Sequence, residues 1–163
     1  MAGELATEAD ITGWPAGEAT KALNVCFQAW LDSRGGIGNA EDRQMRRQVR
    51  AFIERDGEAR FTHWDRVNDS HAVRTQSRLG MRKPVKDSQG EVIGWEYFFF
   101  IEGFRMEVCD GFDWKAVLRV LRERGDLVPD KGRPFDCKPR LPGLGLTACY
   151  CVKSSILDTD SEE

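Results

Sequence analysis

The chain has 163 residues, of which 40% are hydrophobic and 31% are charged, and its formal net charge is −3. This composition is ordinary for a soluble globular protein of one domain or two small ones. The net negative charge excludes a uniformly basic surface for nucleic acid, so any such binding must be local. The longest apolar run, Tyr97 to Ile101, is far shorter than the roughly 20 residues of a membrane-spanning helix.

The start of the chain is acidic and lacks the basic and then apolar residues of a secretion signal. The sequence also contains five cysteines, which is an odd number. These two features predict a cytoplasmic protein with reduced, partly buried thiols.

The first predicted element is a helix that begins near Pro15 and ends at Gly35 and Gly36. Its apolar residues recur at helical spacing, which predicts a helix of the core. These residues are Ala19, Ala22, Leu23, Cys26, Phe27, Trp30 and Leu31.

A second helix is predicted from an N-cap at Asn39 to Gly57. Its apolar face consists of Met45, Val49, Phe52 and Ile53. Its opposite side carries an arginine stripe, formed by Arg43, Arg46, Arg47 and Arg50. Acidic residues flank the stripe, which favours a solvated outer face over a contact with nucleic acid.

The middle of the chain predicts a β-hairpin after an irregular polar stretch at residues 67–77. Its arms, residues 78–85 and 92–101, flank the turn residues Asp-Ser-Gln-Gly at 87–90. Aromatic residues occupy both faces of the second arm, which favours a central position in a sheet. A short helical turn is predicted next, over residues 104–109.

Another helix is predicted after the N-cap residue Asp113, ending at Gly125. Its buried face would be Trp114, Val117, Leu118 and Leu121. Residues 113–153 contain nine Lys and Arg against five Asp and Glu. A helix followed by a basic turn and short strands, the last at residues 147–153, is the order of elements in a winged-helix module.

These elements predict an α+β fold with N-terminal helices, a central β-hairpin and a C-terminal winged-helix-like unit. The expected organisation is a disordered segment at 1–12, a single domain at 13–153 and an acidic tail at 154–163. Within the domain, the helical half covers 13–57, the hairpin 78–101 and the winged-helix-like end 104–153.

Several stretches together resemble the C-terminal tail of large prophage and integrative-element proteins that carry a P-loop ATPase core and are usually labelled superfamily II helicases. They include Gly-Trp-Pro-Ala-Gly-Glu-Ala at 13–19, Arg-Gly-Gly-Ile-Gly at 34–38, and residues 26–31, 48–54, 57–61, 104–113, 123–131 and 140–145. The resemblance implies an accessory module of a longer protein, with an upstream ATPase domain as its partner.

This chain departs from that family in two respects. The ATPase motifs are absent from it, because no Gly-x-x-x-x-Gly-Lys-Ser/Thr occurs, so ATP hydrolysis does not carry over. The family tail continues with basic residues after Leu-Pro-Gly-Leu-Gly, where this chain has Leu146, Ala148 and Cys149.

The functional hypothesis is a non-catalytic module that contacts DNA through phosphate-binding side chains. The candidate residues, here called the basic set, are Lys115, Arg119, Arg122, Lys131, Arg133, Lys138 and Arg140. An ordinary solvated face is the alternative for the same residues. A protein-interaction or oligomerisation module is the alternative function, with Trp14, Trp95 and Phe112 as candidates for an exposed apolar patch.

No cofactor, metal ion or catalytic residue is predicted. Cys149 and Cys151 share a strand face with Cys137 across from them, but a metal site normally needs four compact ligands, so core thiols are favoured. A Cys109 nucleophile paired with a histidine has no local signature. Stacking of bases on the aromatic strand at 97–100 is a further alternative to plain core packing.

Overall fold

The computed structural model describes residues 15, 17–33, 37–69, 71, 75 and 77–158. Contacts between residues divide the chain into two compact units, Met1–Arg43 and Gln44–Glu163. The segment predicted to be disordered, 1–12, lies outside the described residues, as do Trp14, Gly35 and Gly36.

The first unit contains helix α1, Glu18–Ser33, which confirms the predicted helix. Its predicted role in the core is wrong for the described side chains. Leu23 is 68% exposed, Phe27 51% and Trp30 43%. Helical spacing of apolar residues shows that a helix has an apolar face, but it does not show what covers that face. The buried clusters among the described residues begin at Met45.

The second unit contains both helices and strands. The structure confirms the predicted α+β class. Its elements in chain order are α2 (Ile37–Asp56, which begins in the first unit), β1 (Phe61–His63), β2 (Gly80–Lys86), β3 (Val92–Phe100), α3 (Ile101–Gly103), a π-helical turn (Phe104–Val108), α4 (Trp114–Glu123), β4 (Arg140–Leu141), β5 (Gly145–Leu146) and β6 (Cys149–Val152).

The main sheet has the strand order β1-β2-β3-β6. The β2–β3 hairpin forms as predicted, and its turn is closed by Asp87, whose carboxylate accepts hydrogen bonds from the amides of Gln89 and Glu91, both at 2.9 Å. Strand β3 lies between β2 and β6, which confirms its central position. Strand β1 pairs with β2 in parallel and occupies one edge.

The two faces of β3 belong to different hydrophobic clusters. Tyr97 and Phe99 face the larger cluster, which includes the apolar residues of α2 and α4. Phe98 faces the smaller cluster, which includes Cys137 and Leu141 from the segment after α4. The aromatic run of β3 is therefore core on both sides of the sheet, and burial rules out base stacking on Phe98 and Phe99.

Helix α2 confirms its predicted apolar face, because Met45, Val49, Phe52 and Ile53 are all buried. The predicted N-cap at Asn39 is wrong, since the helix already includes Ile37. The helix ends as predicted: the amide of Gly57 donates to the carbonyl of Ile53 at 2.8 Å.

The arginine stripe of α2 is not uniformly solvated, because Arg46 is only 7% exposed. Its Nε donates to the carboxylate of Asp126 at 2.8 Å, and its Nη2 donates to the carbonyl of Ser155 at 2.9 Å. Asp126 is itself 2% exposed and also accepts from the Ser155 hydroxyl at 2.8 Å. The stripe prediction is therefore wrong at Arg46, whose partner lies 80 residues away in sequence.

The segment after α4 contains a small hairpin and a strand of the main sheet. Strands β4 and β5 pair with each other through two residues each. Strand β6 pairs with β3, and Leu127 bridges to Val152 beside it. The first residues of the predicted acidic tail form a 3₁₀ turn, Ser154–Leu157, in which Ile156 is fully buried.

Replacing Asp126 with Ala should lower the free energy of unfolding by about 3–5 kcal/mol, because it removes the buried carboxylate that accepts from Nε of the buried Arg46 guanidinium. The matched control is Glu54→Ala on the same helix, which removes only the exposed partner of Arg50 and should cost about 0.3–0.5 kcal/mol. Urea unfolding followed by circular dichroism measures both. Equal losses for the two variants would contradict the structural role given to Asp126.

Native thiol labelling should modify one cysteine rapidly. Cys26 is exposed, whereas the other four cysteines are buried, and burial raises the pKa of Cys109 to about 12, which depletes its reactive thiolate. Mass spectrometry after a short maleimide pulse should therefore show one adduct on the folded chain and five after denaturation. The Cys26→Ser variant should show none when folded, and rapid labelling of a second cysteine would contradict the described core.

Candidate nucleic-acid interface

Helix α4 is anchored at its N-terminus and along one side. The carboxylate of Asp113 accepts from the amides of Lys115 and Ala116 at 3.4 and 3.3 Å, which confirms it as the N-cap. The buried side consists of Val117, Leu118, Val120 and Leu121. Trp114 is half-buried and stacks under the guanidinium of Arg105, whose Cζ lies 3.8 Å from the ring centroid.

The three basic residues predicted on α4 are exposed. Lys115, Arg119 and Arg122 lie outside the buried face. Arg122 also connects the helix to the following loop, since its Nη1 donates to the carbonyl of Pro134 at 3.0 Å. Because of this contact, part of the loop lies beside the exposed side of α4.

The loop at residues 130–138 is organised around Asp130. Its amide donates to the carbonyl of Asp136 at 3.1 Å, and its carboxylate accepts from the amide of Lys138 at 2.8 Å. The carbonyl of Asp130 accepts from the amide of Arg133, and this tight turn needs the positive φ of 83° at Gly132. The loop thus has a defined conformation that does not depend on its basic side chains.

The loop residues of the basic set differ in their surroundings. Lys131, Lys138 and Arg140 are exposed. Arg133 is half-buried and forms an ion pair with Asp136, so its charge is already partly neutralised. Six of the seven basic-set residues are therefore exposed to solvent, and the seventh is engaged within the loop.

The acidic residues of this segment are mostly engaged in internal contacts. Asp113 caps α4, Asp126 is buried against Arg46, Asp130 holds the loop and Asp136 pairs with Arg133. In contrast, the side chains of Arg119, Lys131, Lys138 and Arg140 form no hydrogen bond or ion pair within the described part of the chain. The local positive charge that the sequence indicates is thus directed toward solvent.

The geometry of the cysteines gives little support to a thiol nucleophile or a metal site. Cys109 is 2% exposed with a raised pKa, which contradicts a thiol nucleophile. The Sγ atoms of Cys137 and Cys149 lie 3.5 Å apart in the core, in accord with the predicted core thiols. Among the described residues, no group of three or more His, Cys, Asp or Glu is arranged to hold a metal ion.

Of the three residues suggested for an apolar docking patch, the structure describes Trp95 and Phe112, and neither is exposed. Trp95 and Phe112 are partly buried and pack against the larger cluster, so their predicted exposure is wrong. Exposed apolar residues occur instead on α1 and on the β4–β5 hairpin, where Leu146 is 71% exposed. Two arginines that the sequence did not single out, Arg66 and Arg82, line a cleft beside β1.

Comparisons with protein-family models, with curated proteins and with solved structures found no match. The family resemblance of the sequence therefore stays a prediction. In the part of the chain that the structure describes, no helix is long and apolar enough to cross a membrane.

Replacing Asp113 with Ala should lower the free energy of unfolding by about 1 kcal/mol, because two amides at the start of α4 lose their acceptor. Asp110→Ala is the matched control, since Asp110 is an exposed neighbour whose side chain makes no hydrogen bond among the described residues. Chemical denaturation of both variants gives the comparison. A loss for Asp110→Ala as large as that for Asp113→Ala would contradict the capping role.

Proposed function

We propose that this chain is a non-catalytic accessory module that contacts DNA phosphates through α4 and the loop that follows it. The observation that carries the proposal is the asymmetry between the two kinds of charge in this segment. Four of its five acidic side chains are engaged in caps, turns and ion pairs, the exception being the exposed Glu123, whereas most of the basic set is exposed and unengaged. Exposed Lys and Arg bind DNA by neutralising phosphates and releasing counterions.

The shape of the segment supports contacts to the backbone of DNA. The basic side chains come from one helix, from the loop that the Arg122–Pro134 hydrogen bond joins to it, and, for Arg140, from the start of β4. Contacts of this type position a protein on DNA without reading its sequence. The proposal therefore predicts binding that depends strongly on salt and little on base sequence.

The proposed partner within the longer protein is an upstream ATPase domain, as the family resemblance implies. The module would then increase the time that the ATPase spends on DNA, while the chemistry would belong to the upstream domain. Arg122 and Arg133 already have contacts within the module, so Lys115, Arg119, Lys131, Lys138 and Arg140 are the principal phosphate-binding residues in this proposal.

The double variant Lys115→Glu with Arg119→Glu should bind a DNA duplex more weakly, and its binding should depend less on salt. Each lost phosphate contact should reduce the slope of log K against log salt by about 1. Fluorescence anisotropy across a salt series measures both quantities.

The matched control is Lys83→Glu with Lys86→Glu, an equal change of charge on exposed residues of β2. It should leave most of the affinity intact if the interface lies on α4 and its loop. An equal loss for the two double variants would show a general charge effect, and an absence of binding by the unmodified chain at low salt would refute the proposal.

The alternative function, an oligomerisation or docking module, is favoured by one observation on α1. Leu23 and Phe27 are more than half exposed, and Phe27 stacks on Trp30 with ring centroids 5.9 Å apart. Analytical ultracentrifugation of the chain and of Leu23→Ser with Phe27→Ser tests this function. A concentration-dependent oligomer that the substitutions disrupt would support it, and a monomer at all concentrations would exclude self-association.

A further inference from the structure

A cleft of about 370 Å³ lies beside the edge strand β1, and no residue of the basic set lines it. Side chains with hydrogen-bonding groups line much of it: Glu58, Thr62, His63, Arg66, Thr75 and Arg82. Strand β1 is held here by its parallel pairing with β2, in which His63 is opposite Arg82. The proposed DNA contact leaves this cleft without a role.

Arg82 is the most constrained cation of the cleft. Its side chain is only 16% exposed, and its guanidinium lies over the ring of Trp95, with Cζ 4.5 Å from the ring centroid. Its Nε is buried and has no hydrogen-bond partner among the described residues. Because Nε has no accessible surface, an anion in the cleft would bind the terminal nitrogens of this guanidinium through charge-assisted hydrogen bonds.

The carboxylate closest to Arg82 is poorly placed to be its permanent partner. Glu58 is 90% exposed, and its Oε1 lies 3.4 Å from Nη1 of Arg82. An exposed ion pair at this distance contributes little to stability. Glu58 can therefore turn away into water when a stronger anion enters the cleft.

His63 adds a neutral donor. Its Nδ1 accepts from the amide of Asp65 at 3.2 Å, so the neutral ring carries its proton on Nε2. Burial lowers the pKa of His63, and Arg66, Arg82 and Lys86 lower it further, while Asp65 acts in the opposite direction. The ring is thus surrounded by more positive than negative charge.

Two further groups complete the donors of the cleft. Arg66 is exposed, and its side chain makes no hydrogen bond or ion pair within the described residues. The hydroxyls of Thr62 and Thr75 lie 3.0 Å apart and bond to each other, so one hydroxyl hydrogen remains available. Two arginines, an imidazole N–H and a hydroxyl suit a tetrahedral dianion better than a planar monoanion, because they can each bind a different oxygen.

From this arrangement we infer that the cleft binds a phosphate monoester group, with Arg82 and Arg66 as its charged ligands and His63 and the threonine pair as neutral donors. The group could belong to a small molecule or to the terminal phosphate of a nucleic acid, since both have the same chemistry. This inference is independent of the basic set.

The test uses the full chain labelled with ¹⁵N and titrated with inorganic phosphate, while sodium chloride at matched ionic strength serves as the reference. Saturable shifts are expected for the backbone amides from Thr62 to Arg66 and for the indole N–H of Trp95, with no equivalent change in chloride. An absence of saturable shifts at these positions would overturn the inference.

Variants locate the site. Arg82→Gln and Arg66→Gln should each weaken phosphate binding about tenfold or more, as expected for the loss of a charged hydrogen bond. Because Arg66 is exposed, Arg66→Gln should not disturb the packing of the core. Its phosphate affinity therefore still tests the site if Arg82→Gln disturbs the packing on Trp95. The control is Arg124→Gln, at an exposed arginine that belongs neither to the cleft nor to the basic set. It should bind phosphate normally, and equal weakening by all three variants would overturn the inference.

A second titration identifies the source of the phosphate. It compares a single-stranded oligonucleotide that carries a 5′-phosphate with the same oligonucleotide lacking it. Tighter binding of the phosphorylated form, lost in Arg66→Gln, supports a nucleic-acid end as the ligand. Phosphate binding without any gain from the 5′-phosphate supports a small phosphomonoester, and both results uphold the cleft as a phosphate site.

Discussion

The buried ion pair between Arg46 and Asp126 joins the parts of the second unit that are far apart in sequence. Asp126 follows α4 directly, and its carbonyl accepts from the amide of Lys153 just after β6. Arg46 lies on α2 and also reaches the carbonyl of Ser155. One carboxylate therefore connects two helices with the end of the sheet, and its burial is compensated by several hydrogen bonds, as a buried charge requires.

The burial of Asp126 affects the charge of the surface beside α4. Asp126 follows α4 directly, but it is buried against Arg46 and is not available as a counter-charge to the arginines of α4. Asp113, Asp130 and Asp136 are likewise engaged in the cap, the loop and the pair with Arg133. Local folding thus engages four of the five acidic side chains of this segment and leaves basic side chains exposed along α4 and its loop.

The local features of this fold were predictable because they depend on neighbours in sequence. The apolar face of α2 follows from helical spacing, the β2–β3 turn from Asp87 and Gly90, and the cap of α4 from Asp113. The central position of β3 was predictable too, since aromatic residues on both faces of a strand need cover on both sides.

The features that were missed depend on contacts between distant segments. The pattern of α2 places Arg46 in a polar stripe, and no local property of the sequence reveals that Asp126, 80 residues later, neutralises it. The exposure of α1 was missed because helical spacing reveals an apolar face but does not show whether other residues pack against it. The cleft beside β1 requires the parallel pairing of His63 with Arg82, which sequence spacing does not indicate.

The role of the exposed basic side chains is tested most directly by mapping where a DNA duplex contacts the chain. In a titration of the ¹⁵N-labelled protein with a duplex at low salt, the largest amide shifts should occur from Lys115 to Arg122 and from Lys131 to Arg140, and they should diminish as salt is added. Shifts confined to other parts of the chain, or none at low salt, would contradict the account.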